Sequence, residues 1–386
     1  MASVIHCDVA IVGGGLSGCL FALALAARRP DVRIKLIERG ETLGGNHLWS
    51  FFGSDVSDAD RWLVAPLVSH VWHGYGVAFP GQARRIDTSY YAIESARLDA
   101  HVRATLPEGS ILTATKALGV SATAVVLGTG DRIEAHGVID CRGASDVGTL
   151  EVGWQKFVGR ELELAEPHGA TDPVVMDATV EQIDGYRFVY ALPFAATRMF
   201  VEDTYYSDTR RIDRPVLGAR IDDYARARGW AITGVVREEA GALPVVMGGD
   251  FEAYWRSGGN RVAKGGVRGG LFHPTTSYSL PDSVRAAVLV AGTSDLGGHA
   301  LHDLLHSHAR ATWAARRFYR MLDAMLFRAA EPAERWRVLA RFYALDAALI
   351  GRFYAGQSSL RDKLRLLTGK PPVPVVRAVA AIRGVK

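Results

Sequence analysis

Apolar residues run unbroken from Val9 to Val12, and a stretch rich in Ala and Leu extends from Leu20 to Arg29, just before Pro30. Between them stand four glycines in six positions, Gly13, Gly14, Gly15 and Gly18, a density that marks a tight backbone turn. Val32 to Glu38 then alternates as a second strand does. Strand, glycine turn, helix and strand in about thirty residues make one βαβ unit, which implies a parallel sheet.

Val9 to Ala27 carries no charge over nineteen residues, enough for a membrane span. No Lys or Arg precedes it, however, and the glycines break its centre, so it reads as buried core and not as a span or signal peptide. No other segment is both long and uncharged. The expectation is a cytoplasmic protein that crosses no bilayer.

Further along, His70 to Ala92 is β-like and aromatic, Ser95 to Thr105 is helical with Ser95 as its N-cap, and Ile111 to Asp140 reads as short strands around a Gly128–Asp131 turn. Residues 150–260 are strand-rich, interrupted by a helix near 214–228. From about 282 to 368 the pattern is mainly helical, and Pro371, Pro372 and Pro374 end that run.

Composition narrows the class. The chain has 386 residues, 48% of them apolar and 22% charged, which suits a globular protein of more than one packed unit. It excludes an acidic disordered chain and gives no sign of nucleic-acid binding. The three cysteines, Cys7, Cys19 and Cys141, are too few for a disulfide framework and wrongly spaced for a metal site. Net charge is only +4, yet residues 311–386 hold fifteen Lys or Arg against five Asp or Glu. This basic, aromatic end fits either a peripheral contact with an anionic membrane surface or a solvated helical face. The mixture of cations and apolar anchors at Arg335, Trp336, Arg337, Arg341, Phe342, Tyr343, Arg352, Phe353, Tyr354, Lys363, Arg365, Leu366 and Leu367 marks the candidate membrane surface.

The turn Gly13-Gly14-Gly15-Leu16-Ser17-Gly18 fits G-x-G-x-x-G. Gly13 permits the turn, Gly15 admits a pyrophosphate, and Gly18 lets helix and strand pack closely. The amides at the helix start offer an anion site. Glu38, twenty residues past Gly18 at the end of the second strand, is placed to accept a ribose 2′-hydroxyl. With Glu38-Arg39-Gly40-Glu41-Thr42-Leu43-Gly44-Gly45 following, the unit resembles the FAD-dependent glutathione-reductase-like superfamily, in which a distant loop returns to the flavin. Residues 265–281, rich in Gly and polar side chains, are the candidate returning loop.

His299, His302 and His306 share a helical spacing beside Asp303, but they read as polar helix positions, and no metal site is expected. Glu202 and Asp203 close an apolar strand. By spacing alone they read as two solvated acids at a strand end, with side chains on opposite faces, so that Glu202 shares a face with Thr204 and Tyr206.

Seven blocks then point to one family: Gly44 to Phe51 (GGNHLWSF), Ile139 to Gly143 (IDCRG), Trp154 to Gly159 (WQKFVG), Met176 to Ala178 (MDA), Tyr186 to Tyr190 (YRFVY), Phe200 to Tyr206 (FVEDTYY) and Phe272 to Pro281 (FHPTTSYSLP). In this order, and spread over nearly the whole chain, they resemble the bacterial flavin-dependent lycopene β-cyclases. The family usually has Gly in place of Ser277 and Thr in place of Leu48.

The resemblance implies an α/β fold with a Rossmann-like FAD-binding domain, an antiparallel β-sheet substrate domain and a helical C-terminal region. The FAD domain would take residues 1–149, with some substrate-domain strands near 70–92, and a returning segment 265–310. The β-rich domain would take 150–264 and the basic helical region 311–386. It implies redox-neutral cyclisation of the ψ-ends of lycopene into β-ionone rings, through γ-carotene, with Glu202 as the acid. Reduced FAD would stabilise the carbocation, with NADPH as reductant. Glu238 and Glu239, also in a family-like stretch, would shape the site or hold a loop. Expected cofactor contacts are Gly13, Gly15, Gly18, Glu38, Arg97, Asp140, Gly270, His273, Pro274 and Thr276. The alternative is a redox flavoprotein of the same superfamily, a hydroxylase or polyprenyl reductase; a non-enzymatic, membrane-attached flavin- or isoprenoid-binding protein is a third reading.

Overall fold

The computed structural model describes residues 3–259, 261–369 and 373–383. The strand Val4–Val12 is central to the first sheet because its apolar run is buried on both sides, with Val9 and Ile11 facing one core and Ala10 and Val12 another. It pairs in parallel with Ile34–Ile37 on one side and Arg132–Asp140 on the other. Ile111–Leu112 and Ala263–Lys264 add further parallel pairs, and the antiparallel strands Ala124–Leu127 and Ala117–Val120 close one edge.

The helix Leu16–Arg28 is buried from Leu16 to Leu25, apart from Ser17, and packs on the returning helix Leu280–Ala291. Each large aliphatic side chain buried there contributes roughly 1.5–3 kcal/mol.

A second sheet of seven strands runs in the order Ile232–Gly249, Leu150–Leu164, Arg198–Ser207, Tyr186–Ala195, Val174–Asp177, Tyr75–Phe79 and Gln82–Ile86. All its pairs are antiparallel except Val174–Asp177 with Tyr75–Phe79. The helix Arg214–Ala227 covers one face through Leu217, Ile221 and Tyr224. The other face carries Tyr186, Phe188, Tyr190, Phe200 and Tyr206 and packs against aromatic residues of the C-terminal helices. A small third sheet, Leu48–Phe52 with Tyr90–Glu94 and His70–Trp72, joins the two.

Three sequence expectations need correction. Ser95 is the first residue of its helix and Glu94 is the cap position, with no side-chain capping bond. The chain turns helical again after Pro374, at Val375–Ile382; Pro371 and Pro372 lie outside the described residues. Finally, Phe342, Tyr343, Phe353 and Tyr354 pack inward against the second sheet and Arg335 is buried, so they form no membrane surface. Arg335 is held by the Tyr206 carbonyl and the Asp208 carboxylate. Amphipathic helices carry both cations and aromatics, and here the sheet takes the aromatic side.

Candidate active site

At the glycine turn each residue has a separate physical task. Gly13 has φ +105°, and a Cβ there would meet the Cys141 carbonyl oxygen at 2.7 Å. A Cβ on Gly18 would lie 1.9 Å from the Gly13 carbonyl oxygen, so the helix crosses the strand at glycine distance. A Cβ on Gly15 would meet nothing within 4 Å. Gly15 thus faces open space at the start of a helix whose first amides have no intrahelical acceptor, an arrangement suited to a pyrophosphate. Glu38 accepts the Gly14 N–H at 2.7 Å and the Gly40 N–H at 2.8 Å, which ties the second strand to the turn.

Asp140 ends the strand beside this turn. It is fully buried, and its carboxylate is taken by Arg142 (2.8 Å) and Arg268 (2.6 Å). Arg268 lies in the returning segment, so Asp140 bolts that segment to the sheet. Arg97 is exposed and donates to the Pro66 carbonyl at 3.0 Å.

The returning loop is mostly enclosed. Gly270 has φ +72° against the Phe251 ring. His273 is buried: its Nδ1 accepts the Thr275 N–H at 3.2 Å and its Nε2 lies 3.0 Å from the Phe353 carbonyl. That pattern requires the proton on Nε2. Burial, helped by Arg316, pushes its pKa down to about 3, so the ring is neutral. The Pro274 carbonyl accepts the Val246 N–H at 3.0 Å, and Thr276 is buried with its hydroxyl 3.3 Å from the Tyr278 nitrogen. Ser277, at the position where the resembled family has Gly, adopts φ +57°, and its hydroxyl bonds the Pro244 carbonyl.

The acid row lies on the second sheet. In register, Tyr190, Glu202, Gly159 and Glu239 stand side by side across four strands, so their side chains share one face. Glu202 is half-buried, and its carboxyl accepts the Thr204 hydroxyl at 2.7 Å. Burial and the nearby Glu239 carboxylate push its pKa up to about 8. Gly159 has no side chain between the two, and the Phe200 ring fills the space over it, 2.5 Å from where a Cβ would stand. Glu239 is buried and accepts the Leu48 N–H at 3.1 Å, with His47 Nδ1 at 3.4 Å. Asp203 points to the opposite face, paired with Arg187 at 2.7 Å and the Tyr205 hydroxyl at 2.5 Å. The row therefore offers one protonated acid, not a shared-proton dyad of adjacent residues.

A short relay joins the row to the glycine turn. The Gly44 N–H donates to the Gly14 carbonyl at 2.7 Å, and four residues on Leu48 donates to Glu239.

A model of the family described as lycopene cyclase protein matches residues 8–380. The chain belongs to the lycopene cyclase family. A lycopene beta-cyclase of Pantoea ananas is 43% identical over 377 residues, covering 98% of both chains. One from a Paracoccus strain is 42% identical and covers 97% of both. Solved structures share the fold at low identity. A geranylgeranyl bacteriochlorophyll reductase-like protein of Thermoplasma acidophilum superposes with TM-score 0.65 at 13% identity, over 98% of this chain and 100% of that one. A flavin-dependent brominase gives 0.59 at 13%, over 91% and 94%.

Family membership thus rests on nearly the whole length of the chain. In the helix Gly298–Ala315, His302 pairs with Asp303 and Trp255 and His306 with Glu252, whereas the buried Nε2 of His308 has no hydrogen-bond partner among the described residues. Glu239, expected to shape the site or hold a loop, stands in the same row as Glu202, an alignment the sequence did not reveal. Its distance in sequence from Glu202 hides their common row, and only the pairing of both strands with Leu150–Leu164 brings them together.

Proposed function

We propose that the protein converts the acyclic ends of lycopene into β-ionone rings by acid-catalysed, redox-neutral cyclisation. The observation that carries this reading is the half-buried Glu202 carboxyl on an aromatic face, in a row with Glu239. The Glu239 partner Leu48 lies four residues from the segment bonded to the dinucleotide-type turn. Burial and Glu239 favour the protonated form of Glu202.

Glu202 donates its proton to the terminal double bond of the polyene. The neighbouring double bond attacks the tertiary cation and closes the six-membered ring. A ring proton then leaves to a carboxylate, and return of that proton to Glu202 resets the acid. Atoms and electrons balance without an oxidant. The faces of Phe200 and Tyr190 beside the acid row favour a cation and exclude water. Glu239 keeps a negative neighbour near Glu202, which favours the protonated form of the acid.

The open space at Gly15, the helix start and Glu38 fit the pyrophosphate and ribose of FAD, with Gly270, His273, Pro274 and Thr276 forming the returning wall. When bound in its reduced form, with NADPH as the reductant, the flavin supplies electron density that stabilises developing positive charge.

Lycopene is water-insoluble, so the reading includes peripheral contact with the inner face of the membrane. Among the described residues no helix is long and apolar enough to cross one. The supporting surface is Leu360, Leu364 and Leu367 with Val376 and Val379, all exposed, interleaved with Arg361, Lys363, Arg365 and Arg377.

The deciding experiment is anaerobic incubation of the purified protein with FAD, NADPH and liposomal lycopene. Products of unchanged mass, without stoichiometric NADPH oxidation, are expected. One NADPH oxidised per ring would favour a redox flavoenzyme instead.

A further inference from the structure

We propose that an apolar cavity under the C-terminal helices binds the trailing polyene chain of the substrate and opens between Leu360–Leu367 and Val375–Ile382. This rests on the cyclase reading and adds where the uncyclised part of the molecule lies. The cavity has a volume of about 250 Å³ and is walled chiefly by Leu322, Leu326, Leu339, Phe342 and Leu366. Leu322, Leu339 and Leu366 are half-buried although they pack on the inward face of their helices, so part of their surface is turned to the void. Such a lining recognises a neutral hydrocarbon and gives little to a polar headgroup. The carboxyl in the wall, Asp323, is buried, and burial raises its pKa well above the usual range, which favours its neutral form. Arg341, also in the lining, is turned to the Thr368 carbonyl.

The position of the cavity ties it to the acid. Tyr206 forms part of its inner wall and stands four residues from Glu202 on the same face of the strand, about 13 Å away at strand rise. Thr275 and Thr276 of the returning loop complete that wall, and the Tyr206 hydroxyl donates to the Thr275 carbonyl at 3.1 Å. A rod-shaped molecule with its end at Glu202 needs an apolar continuation along this face, and the cavity lies there. At the other end Leu367 both lines the cavity and is 48% exposed, next to the exposed Leu364. Apolar surface therefore continues from the cavity to the outside, as uptake from a lipid phase requires.

The test uses the flavin-loaded full-length protein, with all-trans-retinol as a fluorescent polyene probe and liposomal lycopene as substrate. Wild type should bind retinol saturably. Leu339→Trp should fill the cavity and weaken retinol binding at least tenfold. It should slow β-carotene formation at least tenfold, with flavin content and melting temperature unchanged, while Leu339→Val should behave as wild type. Leu366→Trp, nearer the opening, serves the same purpose should Leu339→Trp lose its flavin. A folded, flavin-loaded Trp variant that binds retinol and converts lycopene like wild type overturns the proposal. Retinol binding that depends on Leu339, in a wild-type protein that leaves lycopene unchanged, would uphold the cavity as a polyene site and overturn the cyclase reading instead.

Discussion

Glu202 and Glu239 share one cross-strand partner, Gly159, and so rise from the same face of the second sheet on either side of a residue without a side chain. Charge on Glu239 is felt by Glu202 across a strand covered by the Phe200 ring and raises its pKa. This relationship separates Glu202 from its neighbour Asp203, whose charge is matched by Arg187 on the far face.

Glu202→Gln keeps the shape and hydrogen-bonding size of the acid but cannot protonate an alkene. Cyclisation should fall by roughly 10² to 10⁴, the usual range for a general acid. Flavin content should hold. Asp203→Asn should leave chemistry closer to wild type. Pigment analysis of the products distinguishes the two.

Activity should fall as pH rises through about 8, where Glu202 loses its proton. Glu239→Gln removes the negative neighbour that raises this pKa, so the alkaline limb should move to lower pH. The pH dependence of kcat in both proteins checks the sign. An unmoved limb would show that the carboxylates do not interact.

Gly15→Val should fold, because its side chain enters open space, yet bind FAD at least tenfold more weakly. Gly18→Val should fail earlier, since its Cβ would collide with the Gly13 carbonyl. Flavin absorbance against soluble yield separates a cofactor defect from a folding defect.

Asp282 is buried and bonds Arg316 at 2.9 Å and Arg285 at 2.6 Å. Burial alone would raise its pKa, but the two guanidinium groups prevail and hold it at about 2. The linked stability, on the order of 2 kcal/mol, is present above the unfolded carboxylate pKa and lost as pH falls toward 2. Asp282→Asn leaves Arg316 buried without its counter-charge and should cost about 3–5 kcal/mol, read from urea unfolding.

Leu364→Asp combined with Val376→Asp should reduce sedimentation with anionic vesicles while leaving flavin binding intact, and high salt should weaken wild-type binding. Equal binding to neutral and anionic vesicles at all salt concentrations would remove the electrostatic part.

The βαβ unit was legible because its determinants are local: the spacing of Gly13, Gly15, Gly18 and Glu38 falls within one supersecondary unit. The role proposed for Glu202 came only from the resemblance, since an acidic pair at a strand end looks like a solvated edge. Its row with Glu239 depends on the register of three strands far apart in the chain, which no local pattern encodes. The inward turn of Tyr343 and Phe353 was equally hidden, because helix periodicity marks an apolar side without naming what covers it.

Ser277 holds a left-handed backbone conformation that a glycine would adopt more easily, and its hydroxyl spans to the Pro244 carbonyl. Two residues on from Pro244, Val246 bonds Pro274. The returning loop is thereby riveted twice to the strand that also carries Glu239. Loop and strand are held as one piece, so the wall proposed for the nucleotide and the carboxylate proposed to tune the acid share a single support. One backbone ribbon thus serves both halves of the proposed chemistry, and a change that loosens Ser277 from Pro244 should be felt at Glu239 as well as at the loop.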